Sequence, residues 1–489
     1  MVLQFKLDSQ SEEPLYRQLY AQIKAAILSQ DLPRGERLPP TRELAGSLGL
    51  NRTTVAAAYE LLESEGLILG QVGRGSFVQG PPERPKPLDW RSLLGEQDEA
   101  APLLAPGSAP ISFSASTPSE ALFPLQEFRA SCREVIESAA APQILQYGPS
   151  LGYGPLRRYL LDQSRRRGDA GPDDDILITS GCQQAFDLIQ RVLAPRGETV
   201  LLEDPVLLSV RNVFLREGAR VLGIPVGESG IDLEALARLV EKERPRLMLL
   251  TPNFQNPTGT TLPEAARREA LLIARRAGVV TVENETYGEL RYSGAPLPTL
   301  KSLDSSGGVI LLNSFSKIAF PGLRVGWVIG PRYFIERLAE AKQARDRHSD
   351  QLSQAVLLRF AESGRLAAHQ RRMLERGAER LSACLEACAG ELPPGSRYTR
   401  PEGGMNVWVT LPEPLLASEM AERALREGVS FLPGRFFAVS RPQPRSLRLS
   451  FAGLEPDQIR AGIAVLGRIF KQELERAGER RDEPAAALV

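Results

Sequence analysis

Residues 309–327 read VILLNSFSKIAFPGLRVGW. An apolar run of strand type opens this segment and leads into the hydroxyls of Ser314 and Ser316, then Lys317, and seven residues later Arg324. A lysine amine can form a Schiff base with an aldehyde, while hydroxyls and a guanidinium can hold a phosphate dianion by charge-assisted hydrogen bonds. The segment therefore predicts a strand that ends at a site for an aldehyde cofactor carrying a phosphate.

Similar apolar runs alternate with helical stretches on both sides of this segment. Clear examples lie at residues 175–179, 199–202 and 246–250. Alternation of this kind predicts an α/β domain with a mainly parallel sheet, which we place at residues 111–475 together with a smaller C-terminal α+β subdomain. Open sheets of this class bind ligands at the carboxyl ends of their strands, so the loops found there are the candidate site.

Three polar positions follow or occupy such strands. Residues 180–184 (SGCQQ) begin a helix, and its free backbone N–H groups could bind a phosphate. Asn256 follows the run at 246–250, and its amide could hydrogen-bond a ring hydroxyl. Arg448 lies within an apolar strand pattern, where a cation needs a carboxylate partner, either from a ligand or from a structural Asp or Glu.

Composition narrows the function classes. The chain has 489 residues, of which 42% are hydrophobic and 25% charged, and its 60 basic residues balance 60 acidic ones. These values are ordinary for a folded protein of two or three domains, and any nucleic-acid binding has to come from a local basic surface. Four cysteines without paired spacing and only two histidines support neither a disulfide framework nor a metal site. No signal peptide or membrane span is recognisable, so we expect a cytoplasmic protein without membrane contact.

The first eighty residues have a different pattern. Leu15, Leu19, Ile23 and Ile27 repeat every four residues and predict an amphipathic helix. A second helix is predicted from residue 41 and a third after an Asn N-cap at residue 51, followed by two short strands around a Gly-Arg-Gly turn at 73–75. The order predicts a winged helix-turn-helix at residues 1–80.

This region resembles the GntR superfamily of bacterial regulators. The matching segments are PLY at 14–16, LPPTRELA at 38–45, NRTTV at 51–55 and GRG at 73–75. The resemblance implies binding to a double-stranded DNA operator. The residues that it places on DNA are Arg42, Arg52, Thr53, Thr54 and Arg74.

Two segments of the chain lack such patterns. Residues 81–110 are rich in proline, glycine and alanine, which is typical of a semi-stiff linker. Residues 476–489 combine a run of charges with alanines and predict a mobile tail.

The large domain resembles the fold type I aminotransferases, which bind pyridoxal 5'-phosphate. The resemblance implies that Lys317 forms the Schiff base with the cofactor, that Asn256 and Tyr287 hydrogen-bond its ring oxygen, and that Arg448 binds the ligand α-carboxylate. Tyr147 would reach the phosphate from a neighbouring subunit, which implies a homodimer. The phosphate would be surrounded by Gly181, Cys182, Gln183, Ser314, Ser316 and Arg324.

Two positions depart from the aminotransferase pattern. Members of that family carry an aspartate three residues before the tyrosine, where it keeps the pyridine nitrogen protonated, and this chain has the neutral Asn284. Strand alternation points Glu283 and Glu285 to the opposite face. Leu207 stands where many members stack an aromatic residue on the ring. Because Schiff-base formation needs only Lys317 and bound cofactor, we expect ligand binding to survive better than transamination.

The whole chain resembles the MocR-type transcriptional regulators. That resemblance implies a homodimeric, pyridoxal-phosphate-dependent regulator in which an amino acid or amine displaces Lys317 and changes DNA binding. The alternative is an active aminotransferase with an accessory DNA-binding domain. A third hypothesis is a scaffold that has lost the cofactor, and the retained Lys317, Asn256, Tyr287 and Arg324 argue against it.

Overall fold

The computed structural model describes residues 5–80, 88–94 and 109–482. The chain divides into two compact units, Met1–Gln97 and Asp98–Val489. The division lies within the segment 81–110 predicted as a linker, and most of that segment, residues 81–87 and 95–108, is outside the described part of the chain. The linker character therefore stays a prediction.

The described part of the first unit has three main helices, a two-stranded antiparallel wing and a short fourth helix. Its elements are α1 (Leu15–Leu28), α2 (Thr41–Leu48), α3 (Arg52–Ser64), β1 (Ile68–Gln71), β2 (Gly75–Val78) and the short α4 (Trp90–Leu94). The apolar repeat in the sequence predicted the buried face of α1. Its residues Leu19, Ile23 and Ile27 are buried in one core with Val55 and Leu62 of α3. Gly49 ends α2 at a φ of 65°, and the Asn51 side chain caps α3 by accepting from Thr53 N at 3.2 Å.

The second unit is an α/β domain. Its helices are α5 (Leu125–Ile136), α6 (Ala141–Ile144), α7 (Gly154–Arg167), α8 (Cys182–Leu193), α9 (Leu208–Arg216), α10 (Leu233–Glu243), α11 (Glu264–Ala277), α12 (Leu300–Leu303), α13 (Arg332–Asp346), α14 (Gln351–Glu362), α15 (Arg365–Glu391), α16 (Ala417–Arg426) and α17 (Pro456–Asp482). Its strands are β3 (Ile111–Ser112), β4 (Asp174–Thr179), β5 (Thr199–Asp204), β6 (Arg220–Gly227), β7 (Gly230–Ile231), β8 (Leu247–Leu250), β9 (Val280–Asn284), β10 (Val309–Ser314), β11 (Gly326–Pro331), β12 (Arg397–Tyr398), β13 (Asn406–Thr410), β14 (Val429–Ser430), β15 (Leu432–Pro433) and β16 (Ser446–Ser450).

The main sheet has eight strands in the order β4-β11-β10-β9-β8-β5-β6-β7. Strands β10, β9, β8, β5 and β6 are parallel to one another, whereas β11 runs antiparallel to both of its neighbours. This confirms the predicted mainly parallel sheet. The parallel strands bring the loops after β5, β8, β9 and β10 to one edge of the sheet, together with the loop that follows β4.

A smaller antiparallel sheet, β12-β13-β16-β15, forms the C-terminal subdomain with α15, α16 and α17. Strand β3 pairs with β14, so the start of the second unit is attached to this subdomain. As a result, the segment after β3 lies beside β16, where Ser450 N donates to Phe113 O at 3.0 Å.

The last helix extends into the segment predicted as a tail, and the predicted mobility of that segment stays a prediction. The sequence places a mobile tail at residues 476–489, but α17 continues to Asp482. Alanine and charged residues extend a nucleated helix at little cost, and proline first appears at residue 484. Residues 483–489 are outside the described range. Within that range, no helix is long and apolar enough to cross a membrane.

Candidate functional site

Lys317 lies in a single 3-10 turn, Phe315–Lys317, directly after β10. Ser314 shapes this turn, because its hydroxyl accepts from Ser316 N at 3.0 Å. The Lys317 Nζ donates to Ser116 O at 2.6 Å and lies 5.7 Å from the centre of the Tyr287 ring. The amine is therefore held at the strand edge by a neutral oxygen and an aromatic face.

Asn256, Tyr287 and Arg448 form one buried hydrogen-bonded group, although they come from three distant segments. Asn256 Nδ2 donates to Tyr287 Oη at 2.9 Å, and Asn256 Oδ1 accepts from Arg448 Nη1 at 3.0 Å. Arg448 also donates to Ser114 O, and its Nε is buried with no partner among the described residues. Burial lowers the pKa of the Arg448 guanidinium to about 10, so it remains a cation at neutral pH.

The glycine-rich turn before α8 lies against Arg324. Gly181 has a φ of 80°, and a Cβ built there would lie only 2.4 Å from Arg324 Nη2. Arg324 Nη1 lies 3.4 Å from Ser316 Oγ, whose hydroxyl is 2.8 Å from Ser314 Oγ. The turn thus combines backbone N–H groups at a helix N-terminus with two hydroxyls and a guanidinium, as phosphate binding requires.

Cys182 and Gln183, predicted at the same phosphate, begin α8. The Cys182 thiol is 3.4 Å from Thr286 Oγ1, and burial raises its pKa even though Lys317 and Arg324 are close enough to oppose that shift. The Gln183 side chain points away from this group and donates to Ser209 O at 3.3 Å.

Three cations therefore converge on this edge of the sheet. Within the described residues, every hydrogen bond from Lys317, Arg324 and Arg448 goes to a neutral oxygen, and no carboxylate pairs with these groups. Arg448 is 2% exposed, and a buried cation without an acidic partner is costly unless an anion binds. Within the described part of the chain, Arg448 therefore has no Asp or Glu partner. Of the two alternatives that the sequence left open, a carboxylate of a ligand remains.

Asn284, at the end of β9, is buried beside Thr286, which contacts Cys182. Its Nδ2 is 3.4 Å from Thr251 Oγ1, and its Oδ1 accepts from Thr286 Oγ1 at 2.5 Å. The predicted alternation is confirmed, because Glu283 accepts from the backbone N–H groups that begin α12 and Glu285 accepts from Asn253. Neither glutamate takes the place of the missing aspartate.

Leu207 lines a cavity of about 830 Å³ that opens beside the group. Ser180, Gln183, Phe437 and Arg448 line the same cavity, and Arg448 lies 5.0 Å above the Phe437 ring. The cavity therefore joins the predicted phosphate turn to the predicted carboxylate-binding arginine.

Tyr147 is not brought to this pocket by its own chain. It is 74% exposed, and its ring contacts Arg347 at 5.0 Å and His348 at 6.0 Å. Its predicted role across a subunit interface stays a prediction.

The predicted DNA-binding residues lie on the surface of the first unit. Arg52 and Thr53 are exposed on the first turn of α3, and Thr54 is half-buried beside them. Arg42 is exposed on α2, and Arg74 is exposed in the turn between β1 and β2, where its N–H donates to Gln71 O at 2.9 Å. The arginines form no ion pair within the described ranges, which leaves them available to phosphates.

Four residues of the pocket were missed from the sequence. They are Ser114, Ser116, Thr251 and Thr286. The first two act through backbone carbonyls, which carry no residue-type signal. The threonines lie one or two positions after β8 and β9, so the rule that sites follow strand ends could have found them.

Comparison with known proteins gives two family matches. Residues 111–466 match the aminotransferase class I and II family, and residues 15–78 match the gntR family of bacterial regulatory proteins. The uncharacterized HTH-type transcriptional regulator YdfD of Bacillus subtilis is 30% identical over 94% of this chain and 97% of its own length. The probable rhizopine catabolism regulatory protein MocR of Rhizobium meliloti is 29% identical over 95% of both chains.

Solved structures resemble the second unit. LysN, an α-aminoadipate aminotransferase from Thermus thermophilus solved with N-(5'-phosphopyridoxyl)-L-leucine, is 36% identical with a TM-score of 0.73. That similarity covers 80% of this chain and 100% of the LysN chain. The aminotransferase thus matches one part of the chain, whereas the two regulators match nearly all of it.

Proposed function

The chain belongs to the MocR-type HTH regulators, which join a gntR family domain to an aminotransferase class I and II domain, and we propose that it senses an amino acid at Lys317. It is a DNA-binding transcriptional regulator that depends on pyridoxal phosphate. The ligand class and the way in which the ligand acts are our proposal.

The residues of the pocket fit pyridoxal phosphate. A Cβ at Gly181 would meet the Arg324 guanidinium, so the backbone N–H groups of this turn and Arg324 lie together where they can receive the phosphate, while the Asn256–Tyr287 pair can hold the ring oxygen. When bound, the cofactor supplies an aldehyde carbon for amines and an electron-withdrawing ring. Lys317 supplies the amine that bonds to this carbon.

The convergence of Lys317, Arg324 and Arg448 without a carboxylate carries the proposal. Arg324 would hold the phosphate and the neutral Lys317 amine would bond to the aldehyde carbon, which leaves Arg448 for an anion of the ligand. A carboxylate-bearing amine satisfies this last site better than a simple amine. With the cofactor bound, the ligand's amine would take the place of the Lys317 amine on the aldehyde carbon, and Lys317 would become a free amine with no change of oxidation state.

Sensing requires that the ligand favours one arrangement of the protein over another. The released Lys317 and the newly paired Arg448 change contacts with Ser116 and Ser114, which lie in the segment that follows β3. Because β3 starts at residue 111, this segment is the first part of the second unit after the predicted linker. We propose that it relays ligand binding to the DNA-binding unit.

Two further features belong to the proposal. We propose a homodimer in which Tyr147 completes the phosphate site of the other subunit, since Tyr147 is 74% exposed and, among the described residues, its ring contacts are with Arg347 and His348. We also propose that the protein acts in the cytoplasm, where it can reach an operator.

The competing function is an active aminotransferase whose DNA-binding unit is accessory. Similarity to transaminases favours it, whereas the neutral Asn284 disfavours it because catalysis needs a protonated ring nitrogen.

Visible absorbance of the purified protein during titration with amino acids distinguishes these functions. We expect a cofactor band that requires Lys317, is lost in Lys317→Ala, and shifts with a carboxylate-bearing amine without keto-acid release. Rapid keto-acid release would support the enzyme instead. Absence of the band after addition of pyridoxal phosphate would mean that the pocket does not hold the cofactor.

A further inference from the structure

Asn406, the first residue of β13, has a buried side chain of which only one end is hydrogen-bonded. Its exposed fraction is 0%. Its Oδ1 accepts from Ser450 Oγ at 2.6 Å, whereas its Nδ2 is buried with no hydrogen-bond partner among the described residues. A buried donor without an acceptor is unfavourable, and an apolar side chain at this position would avoid that cost. An acceptor brought by a ligand would remove it.

The register of the small sheet places Asn406 on the same face as Arg448. Asn406 lies opposite Ser450, and Trp408, two residues further along β13, lies opposite Arg448. Residues that are two apart in a strand, and residues directly opposite in neighbouring strands, share one face of a sheet. The other face of β13 carries Val407, which belongs to the main apolar core of the unit. Asn406 is therefore on the face that carries the arginine assigned to the ligand.

Contacts on either side of Asn406 place it beside other parts of the pocket. Met405 Sδ accepts from Ser116 Oγ at 3.7 Å, and the Ser116 carbonyl accepts from Lys317 Nζ. The loop after β8, which carries the amide assigned to the cofactor ring oxygen, lies on another side, since a Cβ at Gly259 would be only 2.5 Å from Asn406 O. The unpaired donor therefore belongs to a residue enclosed by the segments that surround the proposed amino-acid site.

The charges of the pocket restrict which acceptor suits Asn406. Under the proposed function, Arg324 holds the phosphate, Lys317 bonds to the aldehyde carbon, and Arg448 binds the ligand α-carboxylate. The Asn406 amide is neutral, and its side chain has one hydrogen-bond partner among the described residues, the Ser450 hydroxyl. A second carboxylate at this amide would be buried without a cation of its own, which is unfavourable. A hydroxyl or carboxamide oxygen needs only a neutral donor.

We propose that Asn406 is a specificity-determining residue, and that the amino acid sensed at Lys317 carries an uncharged oxygen acceptor, a hydroxyl or a carboxamide, on its side chain. Asn406 Nδ2 donates to that oxygen, while Ser450 orients the amide through its bond to Oδ1. The inference rests on the proposed function, because it requires an amino acid in this pocket. An apolar amino acid of the same shape leaves the donor unpaired and binds more weakly.

Absorbance titrations of the cofactor-loaded full chain with pairs of amino acids of similar shape test the ligand class. The pairs are serine with 2-aminobutyrate, threonine with valine, asparagine with leucine, and glutamine with methionine, and aspartate and glutamate complete the panel. In one pair, we expect the oxygen-bearing member to shift the cofactor band with a Kd roughly 5- to 150-fold lower than its apolar counterpart, and lower than that of either acidic amino acid.

The other outcomes of these titrations separate the inference from the proposed function. Equal Kd values in every pair, or a preference for an apolar or acidic member, would overturn the inference and leave the proposed function intact. If no amino acid shifts the band, the proposed function fails and the inference fails with it.

Asn406→Leu removes the donor and nearly keeps the size of the side chain. We expect the ratio of the two Kd values in the preferred pair to fall close to one, because only the oxygen-bearing member loses a hydrogen bond. A defect of folding or of cofactor binding would weaken both members equally and leave the ratio unchanged. A wild-type ratio in this variant would therefore refute the role of Asn406. If Asn406→Leu does not fold, Asn406→Ala takes its place.

Thr410→Val is the matched control. Thr410 lies four residues further along the same face of β13, opposite Ser446, and its Oγ1 is 3.2 Å from Ser446 Oγ. It repeats the side-chain pairing of Asn406 and Ser450 at the far end of the strand, so we expect the wild-type ratio from it. A ratio that falls as far in Thr410→Val as in Asn406→Leu would mean that the selectivity does not come from the Asn406 donor.

Discussion

Replacing Gly181 by alanine should weaken cofactor binding more than it weakens the fold. Gly181 has φ 80° and ψ 173°, a region that is nearly restricted to glycine. A Cβ there would lie 2.4 Å from Arg324 Nη2 and 2.9 Å from Arg324 Cζ. Both distances are shorter than a Cβ atom can have to a non-bonded atom, so the Arg324 side chain would have to move. The arginine is exposed and flexible, so it can move away, but it then leaves the phosphate site.

The effect of Gly181→Ala on stability and its effect on cofactor binding can be measured separately. The backbone conformation costs about 1–3 kcal/mol for a non-glycine residue, and this lowers the free energy of unfolding. A hydrogen bond to a charged group contributes about 1.5–3 kcal/mol, so loss of the Arg324 contact should raise the Kd for pyridoxal phosphate by roughly 10- to 150-fold. Thermal unfolding without cofactor measures the first cost, and absorbance titration with pyridoxal phosphate measures the second.

Gly322→Ala is the matched control. Gly322 lies two residues before Arg324, has ordinary backbone geometry, and has open space where a Cβ would be added. We expect wild-type cofactor affinity from it. If Gly181→Ala also binds pyridoxal phosphate with wild-type affinity, the Gly181 turn and Arg324 do not form the phosphate site.

Three further outcomes are expected. Arg448→Leu should weaken the spectral response to amino acids by roughly 10- to 150-fold more than the response to simple amines, because the lost carboxylate contact serves only amino acids, whereas the lost bonds to Asn256 and Ser114 affect both ligand classes; equal weakening of both in parallel titrations would contradict this role. Arg52→Ala should weaken operator binding while leaving the cofactor spectrum unchanged, and should lower the slope of log affinity against log salt by about one unit, measured by fluorescence anisotropy. Glu203 has a raised pKa of about 8 in the folded protein, so its contribution to stability is present below pH 4.5 and lost as pH rises toward 8. Glu203→Gln should therefore reduce the loss of melting temperature between pH 5 and pH 8, and an unchanged pH profile would show that Glu203 titrates normally.

Much of the architecture followed from local patterns. The four-residue repeat in α1 and the Asn51 cap are short-range features, and the structure confirms both. The segment around Lys317 predicted a strand and a turn because apolar residues and small hydroxyls act over a few positions. The alternation that turned Glu283 and Glu285 away from Asn284 was equally local. Composition did not indicate that α17 continues to Asp482 within the predicted tail, since helix extension depends on cooperativity more than on composition.

Only the tertiary structure decided which residues of the pocket are hydrogen-bonded to one another. Arg448 and Asn256 are 192 residues apart, and nothing in either segment encodes that one donates to the other. The carbonyls of Ser114 and Ser116 have no residue-type signal, and the pairing of β3 with β14 brings them to Arg448 and Lys317. The sequence by itself determined which chemical groups are available and on which elements. The tertiary structure decided which groups are left without partners, because hydrogen bonding and burial depend on contacts between strands that are distant in the chain.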